Sequence, residues 1–167
     1  MKSELKGKVW KFGDNISTDL IAPGRYFHLR SNLPELAKHT LEDADPDFTK
    51  KMKKGDFVVG GRNFGLGSSR EHAPTIIKLS GVSAVLAKSF ARIFYRNAIN
   101  VGLPVIICDT DKFNTGDEIS VNLEKGIIRN LTQNFEINFP PLPKIMQDIL
   151  REGGLVPYIK KYGELKV

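Results

Sequence analysis

The stretch GGRNFGLGSSREHAP, at residues 60–74, contains four glycines followed by the cluster Ser-Ser-Arg-Glu-His. Glycine adopts positive φ angles without strain and lets backbone approach a ligand closely, so this spacing predicts a loop folded tightly around a bound group. Ser68 and Ser69 offer hydroxyls, and Arg70 offers a planar set of donors that matches a carboxylate or a phosphate. The stretch therefore predicts an active-site loop for an acidic substrate.

An apolar run at residues 75–79 follows the loop and predicts a helix whose N terminus carries both serines. The free N–H groups and the positive end of the helix dipole favour an anion there, and they also favour a serine alkoxide over the alcohol. A simpler interpretation is that Ser68 or Ser69 caps the helix and that the glycines form an ordinary turn. The combination of glycines, two hydroxyls and an arginine in one loop favours the functional interpretation.

Other glycine-rich motifs do not fit this stretch. A dinucleotide-binding fingerprint needs glycine at position 70, where this chain has arginine. A P-loop ends in Gly-Lys-Ser/Thr, and a nucleophile elbow has the pattern Gly-x-Ser-x-Gly; neither pattern occurs in the sequence.

The composition is that of an ordinary globular protein. The 167 residues are 41% hydrophobic and 26% charged, so we expect residues 1–167 to form one domain. A net charge of +6 suits an anionic partner or nucleic acid, but the basic residues are scattered. Cys108 is the only cysteine, which excludes a disulfide or a cysteine-held metal cluster within this chain. With no signal peptide or apolar membrane span in the sequence, we expect a cytoplasmic protein without membrane contact.

Periodicity predicts alternating strands and helices up to Cys108. We expect strands at residues 6–12, 57–59, 82–87 and 101–108, and helices at 33–40, 47–53, 90–99 and from about 70–73 to 79. Ser89 is expected to cap the helix at 90–99, with an apolar stripe that comprises Phe90, Ile93, Phe94 and Ala98.

Two further features of this part of the chain have more than one interpretation. Residues 13–24 form a polar loop in which Asp19 either caps and orients the backbone or takes part in the chemistry. Arg92 and Arg96 share a second face of the helix at 90–99, where they either grip an anion or a partner or are simply solvated.

The hydrophobic pattern of the sequence changes after residue 109. Short alternating segments at 117–123, 126–131 and 135–139 predict a β-meander, followed by helices at 143–152 and 155–161. Mixed strands with flanking helices and a C-terminal β-meander plus helices predict an α/β domain of barrel-like or sandwich form.

Three motifs resemble the aconitase superfamily, and in particular the separate small subunits of its isopropylmalate dehydratase and homoaconitase group. They are KFGDN with STD at residues 11–15 and 17–19, NFGLGSSREHAP at 63–74, and KSFARIFYRNAIN at 88–100. The resemblance implies the swivelling β/β/α domain of the aconitase type, which closes over a separate large subunit that carries a [4Fe-4S] cluster. It also implies a cytoplasmic hydro-lyase, active only as a heterodimer or heterotetramer with that large subunit, and no cofactor bound by this chain.

The resemblance assigns roles to the residues of the glycine-rich stretch. Ser68 matches the base that removes a proton beside a carboxylate, and Ser69 and Arg70 match residues that hold substrate carboxylates. Asp19, from the STD motif, joins Ser68 and Arg70 in the implied catalytic set.

The segment that selects the substrate in this family matches Tyr26, Phe27, His28 and Leu29. Phe27 and Leu29 favour an alkyl group, so the resemblance implies a 2-hydroxy dicarboxylate, first of all isopropylmalate in leucine biosynthesis. Dimethylmalate, citramalate and homoaconitate are the alternatives. Homoaconitate is included because an arginine binds the distal carboxylate in homoaconitases, and Arg30 can substitute for that arginine. A different class of function is a basic module that binds RNA or an anion without catalysis, but no paired aromatic platform or basic stripe supports it.

Overall fold

The structure is a computed structural model that describes residues 3–68, 70 and 72–166. Its strands are β1 (Glu4–Lys11), β2 (Phe57–Val59), β3 (Ala84–Ala87), β4 (Val105–Ile107), β5 (Glu118–Asn122), β6 (Ile127–Asn130) and β7 (Phe135–Asn138). Its helices are α1 (Thr18–Ile21), α2 (Leu33–Ala37), α3 (Phe48–Lys51), α4 (His72–Leu79), α5 (Arg92–Val101), α6 (Lys144–Arg151) and α7 (Leu155–Tyr162), and a 3-10 helix spans Gly24–Leu29. None of the helices in these described ranges is long and apolar enough to cross a membrane.

All of these strands belong to one sheet in the order β4-β3-β2-β1-β5-β6-β7. Strands β1, β2, β3 and β4 run parallel to one another. Helices α4 and α5 form the connections from β2 to β3 and from β3 to β4. The carboxyl ends of parallel strands meet on one side of a sheet, so the segments that follow β1, β2 and β3 are brought together there.

The other half of the sheet is antiparallel. β5 pairs with β1, β6 with β5 and β7 with β6, which confirms the predicted β-meander. Mixed strands with flanking helices confirm the predicted α/β class.

The sheet separates two apolar cores. Side chains alternate between the two faces of a strand. On β2, Val58 therefore joins the core under the helices, whereas Phe57 and Val59 join the core on the opposite face. Ile76 of α4 and Phe94 of α5 lie in the first core and are almost completely buried. β2 and β3 are buried along their whole length, as is usual for parallel strands connected by helices.

Ser89 does not cap α5, contrary to the sequence prediction. Its hydroxyl oxygen accepts a hydrogen bond from the Asn63 N–H at 2.8 Å, and its carbonyl accepts one from the Phe64 N–H at 3.0 Å. Residues 89–91 therefore lie extended beside the glycine-rich stretch, and α5 begins only at Arg92. The helix starts late because these backbone groups already have partners in another loop.

Two apolar side chains are exposed where the sequence predicted burial. Ile93, assigned to the apolar stripe of α5, is 49% exposed, whereas Phe94 and Ala98 of the same stripe are buried in the core. Ile107 is 51% exposed because β4 is the outermost strand of the sheet.

Asp117 connects the meander to the turn that precedes β5. Its Oδ2 atom accepts hydrogen bonds from the Asn114 N–H (2.9 Å), Asn130 Nδ2 (2.8 Å) and Gln133 Nε2 (2.6 Å). Burial by itself would raise the pKa of this carboxyl, but the hydrogen bonds favour the charged form, and the pKa of Asp117 lies below its usual value.

Replacing Asp117 by alanine is expected to lower the free energy of unfolding by about 2–3 kcal/mol, because three donors lose a charged acceptor at a buried position. A group with a lowered folded-state pKa stabilises the fold above its unfolded-state pKa and loses that effect as the pH falls through the folded-state value. Urea denaturation should therefore give a difference between wild type and Asp117→Ala that is constant near neutral pH and shrinks below about pH 4.

The exposed Glu164 provides a matched control, since Glu164→Ala should change the free energy of unfolding by less than about 0.5 kcal/mol. A difference for Asp117→Ala that persists undiminished in acid would contradict the assigned role of its carboxylate.

Candidate active site

Two loops at the carboxyl end of the parallel strands lie side by side. One follows β1 and the other, here called the glycine loop (residues 60–67), follows β2. Backbone hydrogen bonds join them from end to end: Gly61 N–H to Gly13 O (3.1 Å), Asn15 N–H to Arg62 O (2.8 Å), Gly65 N–H to Ile16 O (2.7 Å) and Thr18 N–H to Leu66 O (2.8 Å). This pairing places the start of α1 next to the residues that follow the glycine loop.

Two glycines of the loop are needed for this close approach. A Cβ atom at position 61 would overlap the carboxylate of Asp14, which accepts a hydrogen bond from the Arg62 N–H at 2.7 Å. Gly65 has a φ angle of +83°, and a Cβ atom there would overlap the ring of Phe94. At these positions the loop is therefore folded around other parts of the protein.

Ser68 lies just beyond the paired segment and is exposed. Its Oγ atom is 3.3 Å from Oγ1 of Thr18, and either hydroxyl can be the donor. Thr18 is only 3% exposed, and it starts α1, which is capped by the hydroxyl of Ser17. Because α4 begins at His72, Ser68 is too far from the helix to be its N-cap.

The sequence reasoning did not single out Thr18. The available signal was the hydroxyl-rich run Ser-Thr-Asp at residues 17–19, from which only Asp19 was selected.

Arg70 faces Asp19. Its Nη1 atom lies 3.8 Å from Asp19 Oδ1, which is an ion-pair separation and too long for a hydrogen bond. The same Oδ1 atom accepts a hydrogen bond from the Gly24 N–H at 3.0 Å. Nη1 of Arg70 is buried and has no hydrogen-bond acceptor in the described part of the chain. An unpaired buried donor is costly, and a carboxylate is the acceptor that best matches a guanidinium.

The 3-10 helix Gly24–Leu29 brings Phe27 to the same cluster. The Phe27 ring is 44% exposed and contacts two guanidinium groups, that of Arg30 at 4.4 Å and that of Arg70 at 5.5 Å from its centroid. The ring of His72 meets Phe27 edge-on with 6.3 Å between centroids. Phe27 therefore lies next to both Arg30 and Arg70.

The other residues of that segment are placed differently. Tyr26 stacks on His39 with ring centroids 3.7 Å apart, and both Tyr26 and Leu29 pack against the core under the helices. His28 is exposed, and it makes no hydrogen bond or ion pair within the described ranges. Ser69 lies outside the described residues. Substrate contacts by these four residues stay predictions.

His72 is the first residue of α4 and is half-buried. Burial and, to a smaller extent, the positive charge of Arg70 lower the pKa of His72 below its usual value of 6.5. The imidazole is therefore neutral at pH 7, and Arg70 and Arg30 carry the positive charge of the cluster.

Replacing Arg70 by glutamine is expected to raise the pKa of His72 toward 6.5, because the substitution removes a charge that disfavours the imidazolium. The pKa should remain below that of an exposed histidine, since the burial persists. Titration of the imidazole NMR signals measures this directly in a chain with three histidines. The exposed loop residue Arg62 provides the control, since Arg62→Gln should leave the pKa of His72 unchanged; an unchanged value in Arg70→Gln would contradict the placement of Arg70.

The side chains of this chain do not fit a [4Fe-4S] cluster, which is held by cysteine thiolates. Cys108 is the only cysteine, and burial together with the negative charge of Asp109 raises its pKa to about 12. In the described ranges, no group of three or more His, Cys, Asp or Glu side chains is placed to hold a metal ion.

Comparison with known proteins places the two loops in a defined family. The model of the aconitase C-terminal domain matches residues 14–109, which include both loops, α4 and α5. The 3-isopropylmalate dehydratase small subunit 2 of Archaeoglobus fulgidus is 65% identical over 164 residues, which cover 98% of this chain and 99% of that protein. The isopropylmalate/citramalate isomerase small subunit of Methanocaldococcus jannaschii is 56% identical over 163 residues, 96% of each chain.

A solved structure agrees with these relationships. The crystal structure of a 3-isopropylmalate dehydratase from Methanocaldococcus jannaschii superimposes with a TM-score of 0.91 at 48% sequence identity, covering 96% of this chain and 95% of that one. The predicted swivel domain of the aconitase type is thereby confirmed. The chain therefore belongs to the aconitase C-terminal domain family and, within it, to the small subunits of 3-isopropylmalate dehydratases.

Proposed function

We propose that this chain is the small subunit of a 3-isopropylmalate dehydratase, a hydro-lyase that interconverts 2-isopropylmalate and 3-isopropylmalate by dehydration and rehydration in leucine biosynthesis. The observation that carries the proposal is the joint placement of Ser68 against Thr18 and of Arg70 against Asp19. Proton removal beside a carboxylate needs a base and a cation close together, and this segment supplies both. A non-catalytic module that binds RNA or another anion is not needed to account for the chain.

Ser68 is the proposed base. A serine hydroxyl removes a proton only if its alkoxide is stabilised. The Thr18 hydroxyl, 3.3 Å away and held in a buried position, can donate a hydrogen bond to that alkoxide. Arg70 adds a positive charge nearby in the chain. The exposed side of Ser68 leaves its Oγ atom open to a proton on the substrate carbon.

Arg70 is proposed to bind a substrate carboxylate together with Ser69. Asp19 holds the guanidinium at 3.8 Å without forming a hydrogen bond to Nη1, so the buried donor is still available. A carboxylate can take two parallel hydrogen bonds from a guanidinium, which fixes both its position and its orientation. Asp19 is thus a positioning residue for Arg70 as well as the acceptor for the Gly24 N–H.

The remaining half of the site is proposed to lie on a large subunit, a partner that the small-subunit names of the relatives imply. A [4Fe-4S] cluster, for which this chain has no suitable ligands, would be held by that subunit, where it would supply a Lewis acid for the substrate hydroxyl. The active form is accordingly a cytoplasmic heterodimer or heterotetramer.

The 3-10 helix supports an alkyl substituent on the substrate. Phe27 presents an apolar ring beside Arg70. Arg30 is already engaged, because its guanidinium lies over the Phe27 ring at 4.4 Å and its Nη1 donates to the Phe27 carbonyl at 3.2 Å. A distal carboxylate, as in homoaconitate, would have to compete for Arg30 with these contacts. The exposed His28 and the Tyr26 and Leu29 side chains complete the proposed selecting segment.

Citramalate is the second candidate substrate, because one relative is named for both isopropylmalate and citramalate. Citramalate carries a methyl group where 2-isopropylmalate carries an isopropyl group. An apolar pocket discriminates between such groups by only about 1–3 kcal/mol per methylene, so both acids can be turned over, with preference for the larger.

Replacing Ser68 by alanine is expected to abolish turnover by the complex while leaving its assembly intact, because the base is lost and the substituted side chain is exposed. The assay is anaerobic reconstitution with the cognate large subunit, followed by turnover measurements and size-exclusion chromatography. Thr18→Val should lower kcat by about fivefold, because the loss of one hydrogen bond to the alkoxide costs about 1 kcal/mol. Ser17→Ala, which removes a neighbouring hydroxyl that caps α1, should leave kcat unchanged. An active Ser68→Ala complex would refute the assignment.

The same complex tests the substrate. Among isopropylmalate, dimethylmalate, citramalate, homocitrate and citrate, we expect the highest kcat/KM for isopropylmalate. Replacing Phe27 by alanine should lower kcat/KM for isopropylmalate by about tenfold more than for citramalate, since the larger alkyl group loses more apolar contact. Preference for a tricarboxylate would contradict the proposed role of the 3-10 helix.

A further inference from the structure

An apolar groove lies between α5, α6 and α7, on the side of the sheet that ends in β4. Its volume is about 650 Å³, and it is here called the α5 groove. Tyr95 and Ile99 of α5, Ile145 and Met146 of α6 and Leu155 of α7 contribute to its lining. None of these residues belongs to the candidate active site.

Apolar side chains of the α5 groove remain in solvent. Ile107, on the outermost strand, is 51% exposed, and Leu165, beyond α7, is 50% exposed. Exposed apolar surface of this kind, bordered by polar residues, marks interaction sites on soluble proteins.

The polar border of the groove is positively charged. Arg92 and Arg96 line it from successive turns of α5; both are exposed, and neither makes a hydrogen bond or ion pair with a residue that the structure describes. No Asp or Glu is found among the described residues that line the groove. Arginine is enriched in the buried centre of protein interfaces, where its planar donors bind carboxylates. The groove therefore fits a partner that presents carboxylates beside apolar side chains.

One residue of the groove contacts the glycine loop. Phe90 lines the groove and also forms a parallel β-bridge with Phe64 of the glycine loop, with their rings 5.9 Å apart. Arg92 starts α5 just beyond the carboxyl end of β3, the side of the sheet on which Ser68 and Arg70 lie. A single partner can therefore contact both the candidate active site and the start of α5, which carries Arg92.

We infer that the α5 groove is a docking surface for the large subunit, which inserts a segment with carboxylates flanking apolar side chains. The inference rests on the proposed function, because that function is what requires a large subunit. A second copy of this chain fits less well, since a two-fold contact brings the same patch of both chains together and would set Arg92 and Arg96 against their own counterparts in a chain of net charge +6.

The double variant Arg92→Glu/Arg96→Glu tests the inference in the full complex. Calorimetric titration of the large subunit without substrate should give about 100-fold weaker binding, because two attractive charge pairs become repulsive. Turnover at saturating large subunit should match wild type, since neither arginine lies in the active site. Lys125→Glu, on the turn between β5 and β6, reverses an exposed charge outside the groove and should leave binding unchanged.

Unchanged affinity in the double variant would overturn the inference. If the double variant does not fold, as judged by circular dichroism, Arg96→Gln serves in its place, and an affinity within twofold of wild type would equally overturn it. Sedimentation of the chain alone gives a second test, because a dimer that Ile107→Asp dissociates would assign the groove to self-association and exclude the large subunit. A complex that forms through the groove yet turns over none of the five acids would refute the proposed function and retain the docking surface.

Discussion

The backbone pairing between the loop after β1 and the glycine loop is the constraint on which the candidate site depends. Peptide groups in a loop must find partners when they are withdrawn from water, and here each loop supplies partners for the other. The main chains can come this close only because residue 61 leaves space for Asp14 and residue 65 leaves space for Phe94. Thr18 meets Ser68, and Asp19 meets Arg70, as a result of that contact between main chains. The side chains of the site are therefore positioned by backbone geometry that does not depend on their own identity.

The sheet explains why all of this chemistry lies on one side of the molecule. Its parallel half delivers the segments after β1, β2 and β3 to a common side, whereas the antiparallel half returns the chain through short turns. β1 takes part in both halves and has a parallel neighbour on one side and an antiparallel neighbour on the other. The meander and its Asp117 network thus contribute stability and shape, and the parallel strands contribute the site.

Local sequence was sufficient where structure follows from local patterns. The strand Phe57–Val59 was predicted to the residue, and the meander was predicted from alternation and turn residues. Long-range contacts were not accessible in the same way. Ser89 has the composition of an N-cap, but its hydroxyl bonds to a residue far away in the chain. Thr18 belongs to the site because its hydroxyl lies next to that of Ser68, which is distant in the sequence. The exposure of Ile107 follows from the position of β4 in the sheet, which no local pattern encodes.

The central position of β1 also has a consequence for how the protein is made. β1 (Glu4–Lys11) leaves the ribosome before its antiparallel neighbour β5 (Glu118–Asn122), from which a long stretch of chain separates it. Until β5 emerges, one side of β1 presents unpaired N–H and C=O groups of the kind that attract other strands. The meander, which carries none of the proposed chemistry, then covers this open side of β1. The meander thus protects the folded chain against association with other chains along β1.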